Sequence, residues 1–233
     1  MDFNSDWRFV MIVIGLIDDN TRELDDIKAS IATGWEKEKP MSDDVDFKQY
    51  QLAHTEEFKE TLEKELIDDI AHNRIQGLII DYKLDSMHKV IEGKDIAEYL
   101  HSKVPAFPVV VLTNVPERGK EEDLIDPDKV YDKKTFLDLD NSPSAEMVFN
   151  IRRNIERYMR KRKNLEDSLS LLLNQFDRES DSDEKIKLLV EISNTEDMLA
   201  DYTQTGKSTA EKSFDLSGLK GLVSDLIELE KNL

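Results

Sequence analysis

Short apolar runs alternate with helical patterns in the first part of the chain. The run 10–17 is apolar throughout, as a buried strand would be, and Asn20 behind it can cap a helix. Further strand candidates lie at 45–52, 77–81, 107–114 and 129–133. Helical periodicity covers 24–35, 56–72 and 95–103. Strands that are apolar on both faces and separated by helices predict an α/β fold with a doubly wound, five-stranded parallel sheet.

The last part of the chain has no strand pattern. One apolar stripe with three- and four-residue steps runs from Val148 to Phe176 and is interrupted by Arg162. Helix-start patterns at Ser180 and Ser208 precede two further apolar faces. This part of the sequence predicts an α-helical module that forms a coiled coil or a bundle.

Charge and composition support the same division. Residues 1–143 carry 18 basic and 33 acidic side chains, whereas residues 144–233 carry 14 and 18, so we expect an α/β domain followed by a helical one. The net charge of −19 argues against general attraction to nucleic acid or an anionic membrane. Because cysteine is absent and the apolar run 9–17 is too short to span a membrane, we expect a cytoplasmic protein.

Polar residues follow three of the predicted strands. Asp18 and Asp19 come after the first strand, Asp81 ends the third, and Thr113 ends the fourth. In a doubly wound sheet the carboxyl ends of the strands share one edge, where ligands bind. Carboxylates 4 Å apart repel by roughly 4 kcal/mol per pair, so a cation is needed between them. Mg²⁺ suits such a site because it takes oxygen ligands and keeps several waters.

A lysine near the fifth strand adds positive charge to this edge. The segment 129–136, KVYDKKTF, places Lys133 and Lys134 side by side after that strand. A metal ion, a carboxylate, a hydroxyl and an ammonium together suit phosphoryl transfer onto Asp81, with Thr113 hydrogen-bonded to the new phosphoryl group.

In this order the residues resemble the receiver domain of bacterial two-component response regulators. The likeness covers the acidic pair, the aspartate in GLIIDYKL, the PVVVLTN strand with its threonine, and the fifth-strand lysine. It implies phosphorylation of Asp81 by a sensor histidine kinase or a phosphotransfer protein. It also implies Mg²⁺ held by Asp19, Asp81, the backbone carbonyl of Lys83 and, through water, Asp18. Thr113 would bind the phosphoryl group, and the only catalysis would be self-phosphorylation and self-dephosphorylation.

The resemblance leaves the identity of the site lysine open. Lys134 matches the family's Lys-Pro-Phe through the segment Lys134-Thr-Phe and would make Tyr131 the aromatic switch residue. Lys133 instead keeps Tyr131, rather than Asp132, directed at the core. We favour Lys133 and keep Lys134 as the alternative.

The chain also departs from the family pattern around the phosphoacceptor. The segment between the acidic pair and Asp81 is longer than usual, and so is the loop from Asp81 to Gly93. Asn114 follows the threonine, where the family commonly has a smaller residue. A larger side chain there would restrict access to the acyl phosphate and change its kinetics.

Several outputs are compatible with the sequence. We expect the helical module to form a homodimer or to bind another protein. A DNA-binding transcription regulator is an alternative, because seven basic residues and one acidic residue occupy 152–163. The basic residues are Arg152, Arg153, Arg157, Arg160, Lys161, Arg162 and Lys163.

Three further alternatives concern the phosphoacceptor site itself. The chain could act as a phosphate sink that drains a kinase, or as a pseudo-receiver adaptor that signals without phosphate. A metal-dependent phosphohydrolase is disfavoured, because that chemistry usually uses a second acid two residues after the nucleophile, where this chain has Lys83.

Overall fold

The structure is a computed structural model that describes residues 11–38, 45–51, 58–86, 89–115, 129–138 and 142–203. The strands are β1 (Ile12–Ile17), β2 (Val45–Gln49), β3 (Gly77–Asp81), β4 (Lys83–Ser86), β5 (Lys89–Glu92), β6 (Val109–Thr113) and β7 (Val130–Asp132). The helices are α1 (Thr21–Glu38), α2 (Phe58–Ala71), α3 (Gly93–Lys103), α4 (Lys133–Leu137), α5 (Ser142–Arg178) and α6 (Ser182–Thr203).

The predicted five-stranded parallel sheet is confirmed. Its strand order is β2-β1-β3-β6-β7, and every neighbouring pair is parallel. The chain moves outward from β1 to β2 and then crosses back to β3 on the other side of β1. This order is the flavodoxin-like one, and it opens a crevice at the carboxyl ends of β1 and β3.

Helices α1 and α5 cover one face of the sheet. Their apolar side chains, which include Leu24, Ile31, Val148 and Ile155, join sheet residues in one buried cluster. The two helices meet closely at Gly34, where an added Cβ would lie 2.8 Å from the Val148 Cβ. No larger side chain fits between the helices at this point.

The opposite face of the sheet carries α2 and α3. Strand β3 is buried along its whole length, so both of its faces are covered. A Cβ added at Gly93, the first residue of α3, would meet the Ile80 side chain, which places α3 on the face opposite the α1–α5 cluster. Buried residues such as Leu66 and Ile70 line α2. The α/β fold therefore has helices on both faces, as predicted.

The long connection after Asp81 forms an antiparallel hairpin that the sequence analysis did not predict. Strands β4 and β5 pair from Lys83 with Glu92 to Ser86 with Lys89. Leu84 and Ile91 are opposite each other and both buried, which gives the hairpin an apolar anchor. The hairpin therefore begins two residues after the carboxylate expected to accept phosphate.

The chain divides into two compact units, 1–159 and 160–233. The division falls within α5, later than the boundary expected at 143. Val148, Ile151, Ile155 and Tyr158 are buried in the first unit, so the first half of α5 belongs to the α/β domain.

The second unit is helical in its described part. Helix α6 begins at Ser182 rather than at the expected Ser180, because the Asp181 carboxylate accepts hydrogen bonds from the backbone N–H groups of Asp183 and Glu184. The expected helix start at Ser208 and the apolar face that follows it lie outside the described residues. Within the described ranges, no helix is long and apolar enough to cross a membrane.

Replacing Gly93 with Ala should destabilise the first unit by about 1–3 kcal/mol, because the new Cβ would overlap the Asp81 carbonyl oxygen. Helix propensity alone predicts that Gly93→Ala would increase the free energy of unfolding, because alanine is normally more favourable than glycine in a helix. A decrease would therefore be due to the steric overlap. Urea denaturation measures the change. Ser102→Ala, at an exposed position of α3, is the control, and a gain in stability for Gly93→Ala would contradict the close approach.

Candidate functional site

Four sequence-predicted residues lie at the carboxyl edge of the sheet. Asp18 directly follows β1, Asp81 ends β3, Thr113 ends β6, and Lys133 directly follows β7. The strand register brings Asp81, Thr113 and Lys133 close together. Asp81 is opposite Leu112, the residue before Thr113, and Thr113 is opposite Asp132, the residue before Lys133. Asp18, Asp81, Thr113 and Lys133 are all buried.

The ammonium of Lys133 is the centre of this site. Its Nζ donates to Asp18 Oδ2 over 2.8 Å and to Asp81 Oδ1 over 2.7 Å, and it also contacts Glu23 Oε2. Only 4% of the lysine side chain is exposed. Three carboxylates therefore surround one buried positive charge, which offsets their mutual repulsion.

Backbone hydrogen bonds orient the site residues. Asp18 Oδ1 accepts from the Asn20 N–H over 2.8 Å, and Asp81 Oδ2 accepts from the Lys83 N–H over 3.0 Å. Thr113 Oγ1 accepts from the Val115 N–H over 3.1 Å. Each aspartate thus has one oxygen on a backbone donor and the other on the lysine, which holds both carboxylates in a defined position.

Glu23 belongs to the site although the sequence analysis did not assign it there. It lies in the first turn of α1, where its Oε1 accepts a hydrogen bond from Asn20 Nδ2 over 2.9 Å. The Asn20 side chain in turn accepts from the Arg22 N–H. An acidic residue three positions after a cap is a common helix start, so this pattern alone could not distinguish a capping glutamate from a site residue.

An open pocket of about 470 Å³ lies over these groups. It is lined by Asp19, Asn20, Thr21, Glu23, Asp81, Lys83, Asn114 and Lys133. A bound water occupies about 30 Å³, so this volume accommodates a phosphoryl group together with several waters. Asn114 and Asp81 both line the pocket, and the expectation that Asn114 limits access to Asp81 stays a prediction.

The pKa values follow from burial and from the lysine. Burial raises the pKa of Asp18 and of Asp81, although hydrogen bonds from Lys133 oppose the change. The hydrogen bond from Lys133 lowers the pKa of Glu23. Burial opposes the charged form of Lys133 itself, but its contacts with Asp18, Asp81 and Glu23 prevail and raise its pKa. The lysine is therefore a permanent cation at neutral pH.

The structure places Lys133, not Lys134, in the site. Lys134 is exposed, whereas Lys133 is the first residue of α4 and is buried. Asp132 caps α4 by accepting hydrogen bonds from the backbone N–H and the hydroxyl of Thr135. Tyr131 is half-buried and packs against the apolar cluster, as expected for the Lys133 alternative.

The carboxylates form a donor set that suits a divalent cation. Oxygen atoms of Asp18, Glu23 and Asp81 lie within 4.8 Å of one another. Asp19, which is exposed, and Lys83 line the pocket beside them. These hard oxygen donors fit Mg²⁺, and Glu23 joins the residues expected from the sequence. Asp19, Asp81 and the Lys83 carbonyl remain the predicted ligands, with Asp18 acting through water.

The basic run 152–163 is not uniformly exposed. The Arg152 guanidinium is buried, lies 5.0 Å from the centre of the Trp35 ring and pairs with Glu156 over 2.8 Å. Arg162 is also buried and pairs with Glu166 over 2.8 Å. The exposed members are Arg153, Arg157, Arg160, Lys161 and Lys163. The expected interaction surface therefore loses two of its seven residues to packing and ion pairing.

Comparisons with protein-family models, with curated proteins and with solved structures give no match. The fold defines an α/β protein with a flavodoxin-like sheet order, and the site is an acidic pocket around a buried lysine. The resemblance to receiver domains thus depends on the strand order and on the site residues.

Replacing Asp81 with Asn should stabilise the metal-free protein at pH 7 by about 0.5–2 kcal/mol. Folding raises the pKa of this carboxyl, so its ionised form is less favourable in the folded than in the unfolded protein. The contribution of the Asp81 carboxyl to the free energy of unfolding falls as the pH rises from its pKa in the unfolded protein to its higher pKa in the folded protein. The gain should therefore shrink as pH falls towards 4. Urea denaturation with a chelator measures it, with Asp167→Asn as the exposed control. Lower stability of Asp81→Asn at pH 7 would contradict this assignment.

Mg²⁺ should stabilise the wild-type protein, by about 1.4 kcal/mol at roughly ten times its dissociation constant. Asp19→Ala should remove most of this gain without unfolding the metal-free protein, because Asp19 is exposed and lines the pocket. Thermal denaturation with and without Mg²⁺ measures both effects. Equal Mg²⁺ stabilisation of the variant would exclude Asp19 as a ligand.

Proposed function

We propose that this protein is a phosphorylation-switched response regulator, in which Asp81 accepts a phosphoryl group and a helical module carries the output. The observation that carries the proposal is the joint placement of Asp81, Asp18 and Lys133 under one polar pocket at the switch point of the sheet. The expected phosphate donor is a sensor histidine kinase or a phosphotransfer protein.

The geometry supports Asp81 as the nucleophile. Its side chain is 11% exposed and lines the pocket, so a donor can reach it while bulk water is limited. An Asp81 carboxylate oxygen would form a bond to the donor phosphorus as the phosphorus–nitrogen bond of a phosphohistidine breaks. The leaving nitrogen keeps the electron pair and takes a proton, so the imidazole leaves neutral.

The cationic groups of the site support stabilisation of the transferred charge. Lys133 is held 2.7 Å from Asp81 Oδ1, which is within reach of an oxygen on a phosphoryl group attached there. Mg²⁺, when bound, would neutralise further charge on the phosphoryl oxygens. The Thr113 hydroxyl accepts a hydrogen bond from the Val115 N–H, and within the described residues its own hydrogen has no acceptor, so it would be able to donate to the new group.

The output would follow from charge rearrangement at the strand ends. Phosphorylation adds about two negative charges beside Asp18 and Glu23. Thr113 is the last residue of β6, and Lys133 directly follows β7. Movement of these two residues would therefore repack this side of the sheet, where Tyr131 of β7 packs on the apolar cluster. Helix α5 packs on the same cluster and extends into the second unit, which we propose forms a homodimer or binds a protein effector.

The burial of Arg152 and Arg162 weakens the case for DNA binding through 152–163. A helix that binds DNA presents its basic residues to the phosphates, whereas the guanidinium groups of Arg152 and Arg162 pair with glutamates on α5. A phosphate sink would share the chemistry at Asp81 but would leave oligomer size unchanged on phosphorylation. Light scattering with and without beryllofluoride distinguishes a sink from the proposed switch.

Acetyl phosphate with Mg²⁺ should add one phosphoryl group to the wild-type protein. Asp81→Asn should abolish the adduct while keeping the fold, because asparagine is similar in size but is not a nucleophile for this transfer. Intact-mass spectrometry measures the adduct. Asp167→Asn, at an exposed position of α5, should be labelled like the wild type. A wild type that stays unlabelled under conditions that label an ordinary receiver would overturn the proposal.

A further inference from the structure

The Lys133 ammonium has no spare hydrogen-bond donor in this structure. An ammonium carries three N–H groups, and the ammonium of Lys133 has three carboxylate partners, on Asp18, Glu23 and Asp81. An oxygen of a phosphoryl group on Asp81 could bind the ammonium only if one of these partners left it. The partner that leaves is the one that restrains Lys133 only while no phosphoryl group is present.

We infer that Glu23 is a positioning residue that holds Lys133 in the resting site and releases it when a phosphoryl group occupies Asp81. This inference rests on the proposed function. Glu23 would then compete directly with the incoming group for the same ammonium. The site would bind a phosphoryl group less tightly than a site without this glutamate.

Burial distinguishes Glu23 from the other two partners. The side chain of Asp18 is fully buried and is also held by the Asn20 N–H, so its separation from Lys133 would leave a charge without water. A phosphoryl group on Asp81 Oδ2 would leave Oδ1 as a carbonyl oxygen that still accepts a hydrogen bond from the ammonium. The Glu23 side chain is 34% exposed at the pocket, so water can replace the lysine at its oxygen.

The helix start gives Glu23 a second partner that remains after release. Asn20 Nδ2 donates to Glu23 Oε1, whereas the Lys133 contact is on Oε2. The two oxygens therefore have separate roles, one in capping α1 and one in holding the lysine. Loss of the Lys133 contact does not require the first turn of α1 to unwind.

Glu23 also contributes negative charge to the pocket. This charge should favour binding of a metal ion, whereas the contact with Lys133 should disfavour binding of a phosphoryl group. Removing the charge should weaken Mg²⁺ binding, because Glu23 lies with Asp18 and Asp81 in the same carboxylate group. Removing the Lys133 contact should strengthen binding of a phosphoryl analogue. At saturating Mg²⁺ the metal site is filled in every variant, so a change in the affinity for the phosphoryl analogue no longer includes the change in Mg²⁺ affinity.

The experiment is a calorimetric titration of beryllofluoride into the full-length protein at saturating Mg²⁺, with Mg²⁺ alone titrated separately. Glu23→Gln should bind beryllofluoride about fivefold more tightly than the wild type and Mg²⁺ more weakly. Glutamine keeps an oxygen for Asn20, so the cap of α1 is preserved. Glu146→Gln, an exposed glutamate of α5 outside the pocket, controls for net charge and should change neither affinity.

Glu23→Asp separates contact from charge. Aspartate keeps the negative charge but is one methylene shorter, so it should lose the lysine while largely retaining Mg²⁺ affinity. We expect it to bind beryllofluoride more tightly than the wild type. Fluorine NMR of the bound beryllofluoride should give the same resonance in the wild type and in Glu23→Asp, which have the same charge, since Lys133 is free of residue 23 in both complexes.

The outcomes distinguish this inference from the proposed function. If wild type and Asp81→Asn both fail to bind beryllofluoride, the proposed function and the inference both fail. If wild type binds in an Asp81-dependent way and Glu23→Gln binds equally or more weakly at saturating Mg²⁺, only the inference is overturned. A bound fluorine resonance that differs between the wild type and Glu23→Asp would likewise show that Glu23 stays in contact with the lysine.

Discussion

The structure of the pocket depends on one buried ammonium among carboxylates. Lys133 contacts Asp18 and Asp81, at the ends of β1 and β3, and Glu23, in the first turn of α1. A buried ion pair adds little net stability, but removal of the cation would leave buried charges without compensation. The lysine thus allows Asp18, Glu23 and Asp81, the proposed phosphoacceptor, to coexist in one pocket. The same ammonium becomes the natural partner for an anion that arrives there.

Much of the fold was predictable because parallel strands buried on both faces leave continuous apolar runs. The same topology explains why Asp18, Asp81 and Thr113 could be expected together, since residues at the carboxyl ends of such strands share an edge. The hairpin of β4 and β5 was not predicted, because its apolar anchor is a single pair, Leu84 and Ile91. One pair in a short segment gives no recognisable period.

The site residues show where sequence patterns fail for physical reasons. Glu23 was missed because its position after Asn20 already has a sufficient explanation in helix capping. Lys133 and Lys134 are chemically identical, so the preference for Lys133 depended only on the direction of Tyr131; the start of α4, which buries Lys133 and leaves Lys134 exposed, agrees with it. Burial of Arg152 follows from a tertiary contact with Trp35, which no local charge pattern reveals. In each case the decisive information lies in an element distant in sequence or in the start of a helix.

The close approach at Gly34 has a mechanical consequence. Helix α1 starts beside the acidic pocket, and Glu23 and Gly34 are separated by about 16 Å along its axis. At Gly34 the backbone of α1 contacts the Val148 side chain directly, so no flexible side chain of α1 lies between the two helices at that point. Closely packed interiors transmit displacement rather than absorb it. A tilt of the first turn of α1 would therefore reach α5 through a rigid rod, along a route that bypasses the strands.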